Sequence, residues 1–156
     1  MMGDREQKLE AAGYPLDRGP KEGPVIDLLS VLGDTLYASG QVPYDAGVLT
    51  SKGKVPSQVS VEDATKAAAL CTANILRAIV LKLGSLDRIE RVVRVTGYVN
   101  TDPDFTDCHL VINGATNLLK DVFGQEAGRH ARTALGLAQL PLGTSVEVEA
   151  IFQLKK

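Results

Sequence analysis

A chain of 156 residues with 17 Lys+Arg against 19 Asp+Glu is long enough to bury one sizeable core and too short for two full domains. Its net charge of -2, its scattered basic residues and its 4% aromatic content without tryptophan argue against a dedicated nucleic-acid or anionic-membrane binder. Neither cysteine, Cys71 or Cys108, sits at a CxxC or Cys/His ligand spacing, and each falls in an apolar helical pattern, so both are expected as reduced core thiols.

The first ten residues hold no apolar run, and no later stretch reads as a membrane span of about 18 apolar residues, so a cytoplasmic location is expected. Asp4 to Ala12 predicts a short helix that Gly13 stops. Gly13 to Pro24 then passes through three prolines and three glycines, a connector. Residues 1–24 are expected as an appendage to a domain formed by residues 25–156.

Val25 to Val31 and Thr35 to Val42 are β-rich runs divided by Gly33-Asp34, which predicts a hairpin. Ser39-Gly40 closes the second run, and a small pair at a strand end either lets a ligand approach the backbone or merely ends the strand. Ser60 and Asp63 form a capping pattern ahead of a helix that runs to Gly84, with Ala64, Ala68, Cys71, Ile75, Ile79 and Leu83 as its packing stripe. Ile89 to Asn100 predicts a strand with Val93, Val95, Gly97 and Val99 on one face and Val92 and Tyr98 on the other. A turn at Asn100 to Asp104 opens a second amphipathic helix, buried through Phe105, Cys108, Ile112, Ala115, Leu119 and Val122 and ended by Gly124.

Arg129 to Leu154 reads as a closing hairpin turned at Pro141 to Gly143. In its second strand Val146, Val148, Ala150 and Phe152 alternate with Glu147, Glu149, Ile151 and Gln153. The order ββαβαββ predicts an α+β fold, a mixed sheet with two helices on one face. The other face, with Tyr98 and Ile151, would stay open, and an open apolar sheet face predicts association into a closed ring.

Arg132 stands among small and apolar neighbours, where a guanidinium needs a carboxylate, a phosphate or water. It is either an anion anchor or one half of a salt bridge to Glu147 or Glu149 across the hairpin. Glu147 is the candidate for acid/base work, whereas Glu149 fits a solvated strand face equally well. His109 and His130 are too isolated for a metal site of known spacing, and no HExxH or nucleophile elbow occurs, so neither metal nor cofactor is expected.

Ala38 to Pro43 (ASGQVP), Arg91 to Asn100 (RVVRVTGYVN), Asp104 to Asp107 (DFTD) and Gly128 to Phe152 together resemble the RidA/YjgF family. The resemblance runs from about Val25 to Phe152 and is greatest to the longer branch, often labelled endoribonuclease L-PSP or translation initiation inhibitor, in which it takes in the N-terminal appendage too. It implies a chorismate-mutase-like fold, a homotrimer with clefts between subunits, and hydrolysis of enamines and imines to 2-keto acids and ammonia. Arg132 then matches the arginine that pairs a substrate carboxylate, Glu147 the glutamate that positions water, and Ser39-Gly40 the cleft floor. The family's cleft tyrosine either aligns with Ile26 or is lost in the connector, His109 stands where it has an asparagine, and Ala134, two residues past Arg132, where it has a cysteine. With Thr133 these complete the expected substrate-binding set. The expected partners are two further copies of the chain and a small carboxylate-bearing ligand, with no DNA and no membrane. A carboxylate-binding module without catalysis and an endoribonuclease are the alternatives.

Overall fold

The computed structural model describes residues 2–156. Helix α1 (Asp4–Ala11) is followed by strands β1 (Leu29–Leu32) and β2 (Thr35–Gln41) and by a small hairpin of β3 (Tyr44–Asp45) and β4 (Val48–Leu49). Helix α2 (Val61–Leu83), strand β5 (Ile89–Asn100), helix α3 (Cys108–Ala127) and strands β6 (Ala131–Leu137) and β7 (Val146–Leu154) complete the chain. The main sheet has the order β1-β2-β7-β5-β6, with β5 and β6 parallel and every other pair antiparallel.

The expected α+β class is thus observed, and the long elements begin and end close to where the sequence puts them. Ser60 Oγ accepts from the Asp63 amide at 3.0 Å to cap α2, and Gly84 closes that helix with φ 82°. α2 is as long and apolar as a membrane span, but two thirds of its apolar stretch lies inside the fold. Its buried face carries Ala64, Ala68, Cys71, Ile75 and Ile79, all fully buried against the sheet and α3. Both helices cover the same face because β2-α2-β5 and β5-α3-β6 are crossovers advancing in the same direction across the sheet. Right-handed crossovers of one direction land on one side.

Three details depart from the sequence reading. The closing strands do not pair with each other: β7 inserts between β2 and β5, leaving β6 on the far edge. Alternation along β7 suits that central place, since Val146, Val148, Ala150 and Phe152 are all buried. Within β5, Val92 pairs with Phe152 and Arg94 with Ile151, so Val93 is the extra residue of a bulge. One unpaired residue reverses the alternation, and Val92 is fully buried while Val93 is 40% exposed, the opposite of their expected faces. Finally, β1 starts at Leu29 and not at Val25. The β1–β2 ladder stops at Leu29 opposite Ala38, where β2 also shifts register against β7, and Val25 and Ile26 lie beyond it, 88% and 62% exposed.

The amino-terminal helix is fastened to the main body. Leu9 is fully buried in the common core, Arg5 Nη1 donates to the Leu86 and Ile89 carbonyls at 3.0 and 2.6 Å, and Glu6 Oε1 accepts from Ser85 Oγ at 2.8 Å. The tightest helix contact is between α2 and α3 at Gly114, where a Cβ would overlap the Thr65 carbonyl. Backbone on both sides leaves no side chain to swing away. Gly114→Ala is expected to cost about 1–3 kcal/mol by overpacking. Urea unfolding checks this, as a lower midpoint with the slope unchanged.

Candidate functional site

The parallel register sets Arg132 beside Val95, so its side chain lies on the helix-covered side of the sheet at the β6 edge. Nη1 donates to Asn113 Oδ1 at 2.9 Å and to Thr116 Oγ1 at 3.0 Å, and Nη2 donates to the His109 carbonyl at 3.3 Å. All three partners come from α3, spaced i, i+4 and i+7 on one helical face. Three of the five guanidinium N–H groups are therefore used, which leaves Nε–H and one hydrogen of Nη2. Burial pulls the Arg132 pKa below its usual value, and no carboxylate counters it.

Beside this arginine, a cleft of about 740 Å³ opens between β6 and the start of α3. Phe105, His109, Ala134, Leu135 and Leu137 line it, with Lys54 at one end. Lys54 is already committed, since Nζ donates to Asn100 Oδ1 at 3.0 Å and to the Thr101 carbonyl at 3.2 Å. The structure thus brings together Arg132, His109 and Ala134 of the expected set. Thr133 pairs with Thr96 and points the other way, where its hydroxyl accepts from Arg94 Nη2 at 3.0 Å.

Glu147 lies on the open face of the sheet, opposite Tyr98, with Glu149 opposite Thr96. Tyr98 Oη donates to Glu149 Oε1 at 3.0 Å. Burial raises the Glu147 pKa, the Glu149 charge raises it further, and no cation offsets either. Gly40 packs directly on this carboxylate: a Cβ there would overlap Glu147 Oε1. It belongs with Ser39 to the β2 bulge, in which two residues face one on β7. Ser39 is fixed by its amide to the Leu28 carbonyl at 2.9 Å and by its hydroxyl to the Asp27 carbonyl at 2.7 Å. The Ser-Gly pair accordingly does more than end a strand, because the missing Cβ admits the carboxylate. Ile26 lies just before these carbonyls, outside the strand.

One chain therefore carries two groups of residues, and it keeps them apart. β5 runs between β6 and β7, and Arg132 and Glu147 project from opposite faces of the sheet. The salt bridge across a closing hairpin, one reading of the sequence, is ruled out by this topology. Among the described residues, no three His, Cys, Asp or Glu side chains converge as a metal site would require.

Sequence reasoning passed over Asn113 and Thr116 and weighed His130 only as a metal ligand. The first two continue a polar stripe from His109 along α3, a periodic signal that stood beside the apolar stripe. His130 precedes β6 and is joined to both: its Nδ1 lies 2.7 Å from the Gly128 carbonyl and its Nε2 lies 3.1 Å from Thr116 Oγ1. Burial lowers its pKa; the Gly128 hydrogen bond opposes that, and the Arg132 and Lys120 charges add to it.

Comparison with known proteins follows the same lines. The profile of the family described as "YjgF/chorismate_mutase-like, putative endoribonuclease" matches residues 6–153. The chain belongs to the YjgF/chorismate-mutase-like family. A protein of unknown function from Agrobacterium tumefaciens shares 40% identity over 97% of this chain and 92% of its own, with a TM-score of 0.86. A Shewanella oneidensis family structure described as a "putative endoribonuclease" shares 30% identity over 97% of this chain and 100% of its own, with a TM-score of 0.90. Protein TCP17 of Trypanosoma cruzi is 42% identical over 124 residues, 78% of this chain and 76% of that protein. The YjgF match reaches back to Glu6 and so takes in α1 as well as the sheet.

The His130 environment has a consequence for stability. A histidine that binds its proton less tightly when folded leaves stability at its full value above the ordinary pKa of 6.5. Stability is then lost as the pH falls from there through the lowered folded value. Urea unfolding between about pH 7.5 and 5 should show this loss in the wild type and a smaller one in His130→Asn.

Proposed function

We propose that the chain hydrolyses small 2-imino and enamino acids to 2-keto acids and ammonia, at a cleft that forms between copies of the chain. The observation that carries this reading is the state of Arg132: a part-buried guanidinium, oriented by three neutral acceptors, facing no carboxylate among the described residues and holding two unused donors. Such a group is prepared for an external carboxylate, which accepts two parallel hydrogen bonds from a guanidinium. Glu147 is its complement, a desolvated carboxylate without a cation, on a sheet face that also exposes Tyr37, Leu135 and Val93. Because a single sheet holds the two on opposite faces, a site that uses both needs Arg132 from one copy and Glu147 from another. The homotrimer implied by the family resemblance would supply three such sites.

In this mechanism an enamine first takes a proton from solvent at its β-carbon and becomes the iminium, the protonated imine. Arg132 holds the imino-acid carboxylate, and Glu147 takes a proton from the water that attacks the C=N carbon. Glu147 returns that proton to the amino nitrogen of the carbinolamine, and the hydroxyl proton passes to solvent as the C–N bond breaks and releases ammonia and the keto acid. Imines react readily with water, so positioning and modest base assistance suffice. The small Ala134 and the apolar Phe105 that line the cleft beside Arg132 suit a small substrate side chain.

RNA cleavage is the second reading, since the family and the Shewanella oneidensis relative are described as putative endoribonucleases. The chain's net charge of -2 and absence of tryptophan count against it. A metal-free ribonuclease assay with the same variants separates the two.

The test is complementation. A dehydratase generates 2-iminobutyrate in situ, semicarbazide trapping reports its decay, and Arg132→Ala and Glu147→Ala are each expected to abolish the acceleration. Mixing the two inactive variants in equal amounts and allowing subunits to exchange should restore about a quarter of wild-type activity, since that share of sites pairs an intact Arg132 with an intact Glu147. Absence of recovery in exchanged, folded oligomers would exclude the two-chain site, and an inactive wild type would leave carboxylate binding without turnover. For an active wild type, the rate should fall on the acid side as Glu147 protonates, starting above the usual carboxylate range.

A further inference from the structure

The three α3 acceptors fix where Arg132 lies, but one of them, Thr116, is a hydroxyl that can donate as readily as it accepts. Its role is decided one residue further out. The Gly128 carbonyl can only accept, so the His130 nitrogen 2.7 Å from it, Nδ1, carries a proton. In a neutral ring that leaves Nε2 as an acceptor, 3.1 Å from Thr116 Oγ1, and the hydroxyl hydrogen belongs to it. The Thr116 oxygen is then free to accept from Arg132 Nη1 at 3.0 Å. Every donor in this chain meets an acceptor: Arg132 gives to Thr116, Thr116 to His130, and His130 to the Gly128 backbone.

We propose that Thr116 and His130 are positioning residues for Arg132, a hydrogen-bonded relay that holds the hydroxyl lone pair toward Nη1 and so fixes the guanidinium plane with Nε–H and one Nη2 hydrogen left for a ligand carboxylate. The inference rests on the carboxylate-binding reading given above. The relay runs from the Gly128 carbonyl just past the end of α3, through His130 before β6, to Thr116 in the middle of α3 and Arg132 on β6. It uses the left-handed break at Gly124, φ 85°, after which one further turn carries the chain to Gly128 and aims its carbonyl at His130. The charged groups around His130 are Arg132 and Lys120, both cations, which favour the neutral ring that the relay needs.

The test uses the full chain and 2-oxobutyrate, a stable keto acid carrying the carboxylate, as probe. Its dissociation constant is measured at neutral pH by isothermal titration for the wild type, Arg132→Ala, Thr116→Val, Thr116→Ser and His130→Asn. Thr116→Val keeps the shape and loses the hydroxyl, and it should weaken binding about tenfold, the worth of one hydrogen bond at a charged group. Thr116→Ser should restore wild-type affinity. His130→Asn keeps the donor to Gly128 and removes the acceptor for Thr116, and it should weaken binding in the same direction. Nitrogen-15 correlation spectra of the unmodified protein should show His130 with its proton on Nδ1 and a bare Nε2. This last measurement needs no variant, so a misfolded Thr116→Val leaves the proposal open to refutation.

Wild-type affinity in folded Thr116→Val, or a His130 proton on Nε2, would overturn the relay while a large loss in Arg132→Ala left the carboxylate site standing. Binding that Arg132→Ala did not weaken would overturn the site and the relay together.

Discussion

The placement of β7 at the centre of the sheet is the constraint on which the rest depends. A strand with β2 on one side and β5 on the other is hydrogen-bonded along both edges, and its helix-facing side chains, Val146, Val148, Ala150 and Phe152, are removed from water. The strict alternation of a β-strand then leaves Glu147 and Glu149 no choice of face. Because β7 fills the place beside β5, β6 must pair on the other edge, parallel, with α3 as its crossover. Arg132 is thereby turned toward α3, away from both glutamates.

This geometry produces an electrostatic asymmetry within one chain. On the helix side of the sheet is a guanidinium whose solvation is replaced by neutral oxygens of Asn113, Thr116 and His109. On the open side is a carboxylate whose neighbour is another carboxylate. Each has lost water without gaining an opposite charge, a costly arrangement in a finished protein unless ligand or assembly completes it. The bulge at Ser39-Gly40 and the missing Cβ at Gly40 make room on the glutamate side, and the small Ala134 does so on the arginine side.

Much of this was legible from the residues. Helix α2 with its Ser60 cap and Gly84 stop, the span of β5, the two-faced pattern of β7 and the α+β class all follow from local rules: capping, 3.6-residue and two-residue periodicities, and turn chemistry. Arg132 and Glu147 stood out as charges placed where apolar neighbours make charge expensive. The polar stripe of His109, Asn113 and Thr116 was equally periodic, but its meaning depends on which strand lies beneath it.

The sequence by itself determined the elements, the faces of the strands and the identity of the groups that must find a partner, because those rest on contacts within a few residues. Which strands pair, and hence which charged groups meet, only the tertiary structure decided. Arg129 to Leu154 has the local signature of a hairpin, and only competition between β5 and β6 for a place beside β7 puts its two strands apart. The bulge at Val93 is of the same kind: an extra residue in a ladder is set by the fit of β5 to its neighbour and leaves no mark in the alternation of the chain. The relay from Arg132 to His130 likewise needs α3, its break at Gly124 and the β6 edge in one place, since hydrogen-bond roles are fixed by the atoms that surround a group.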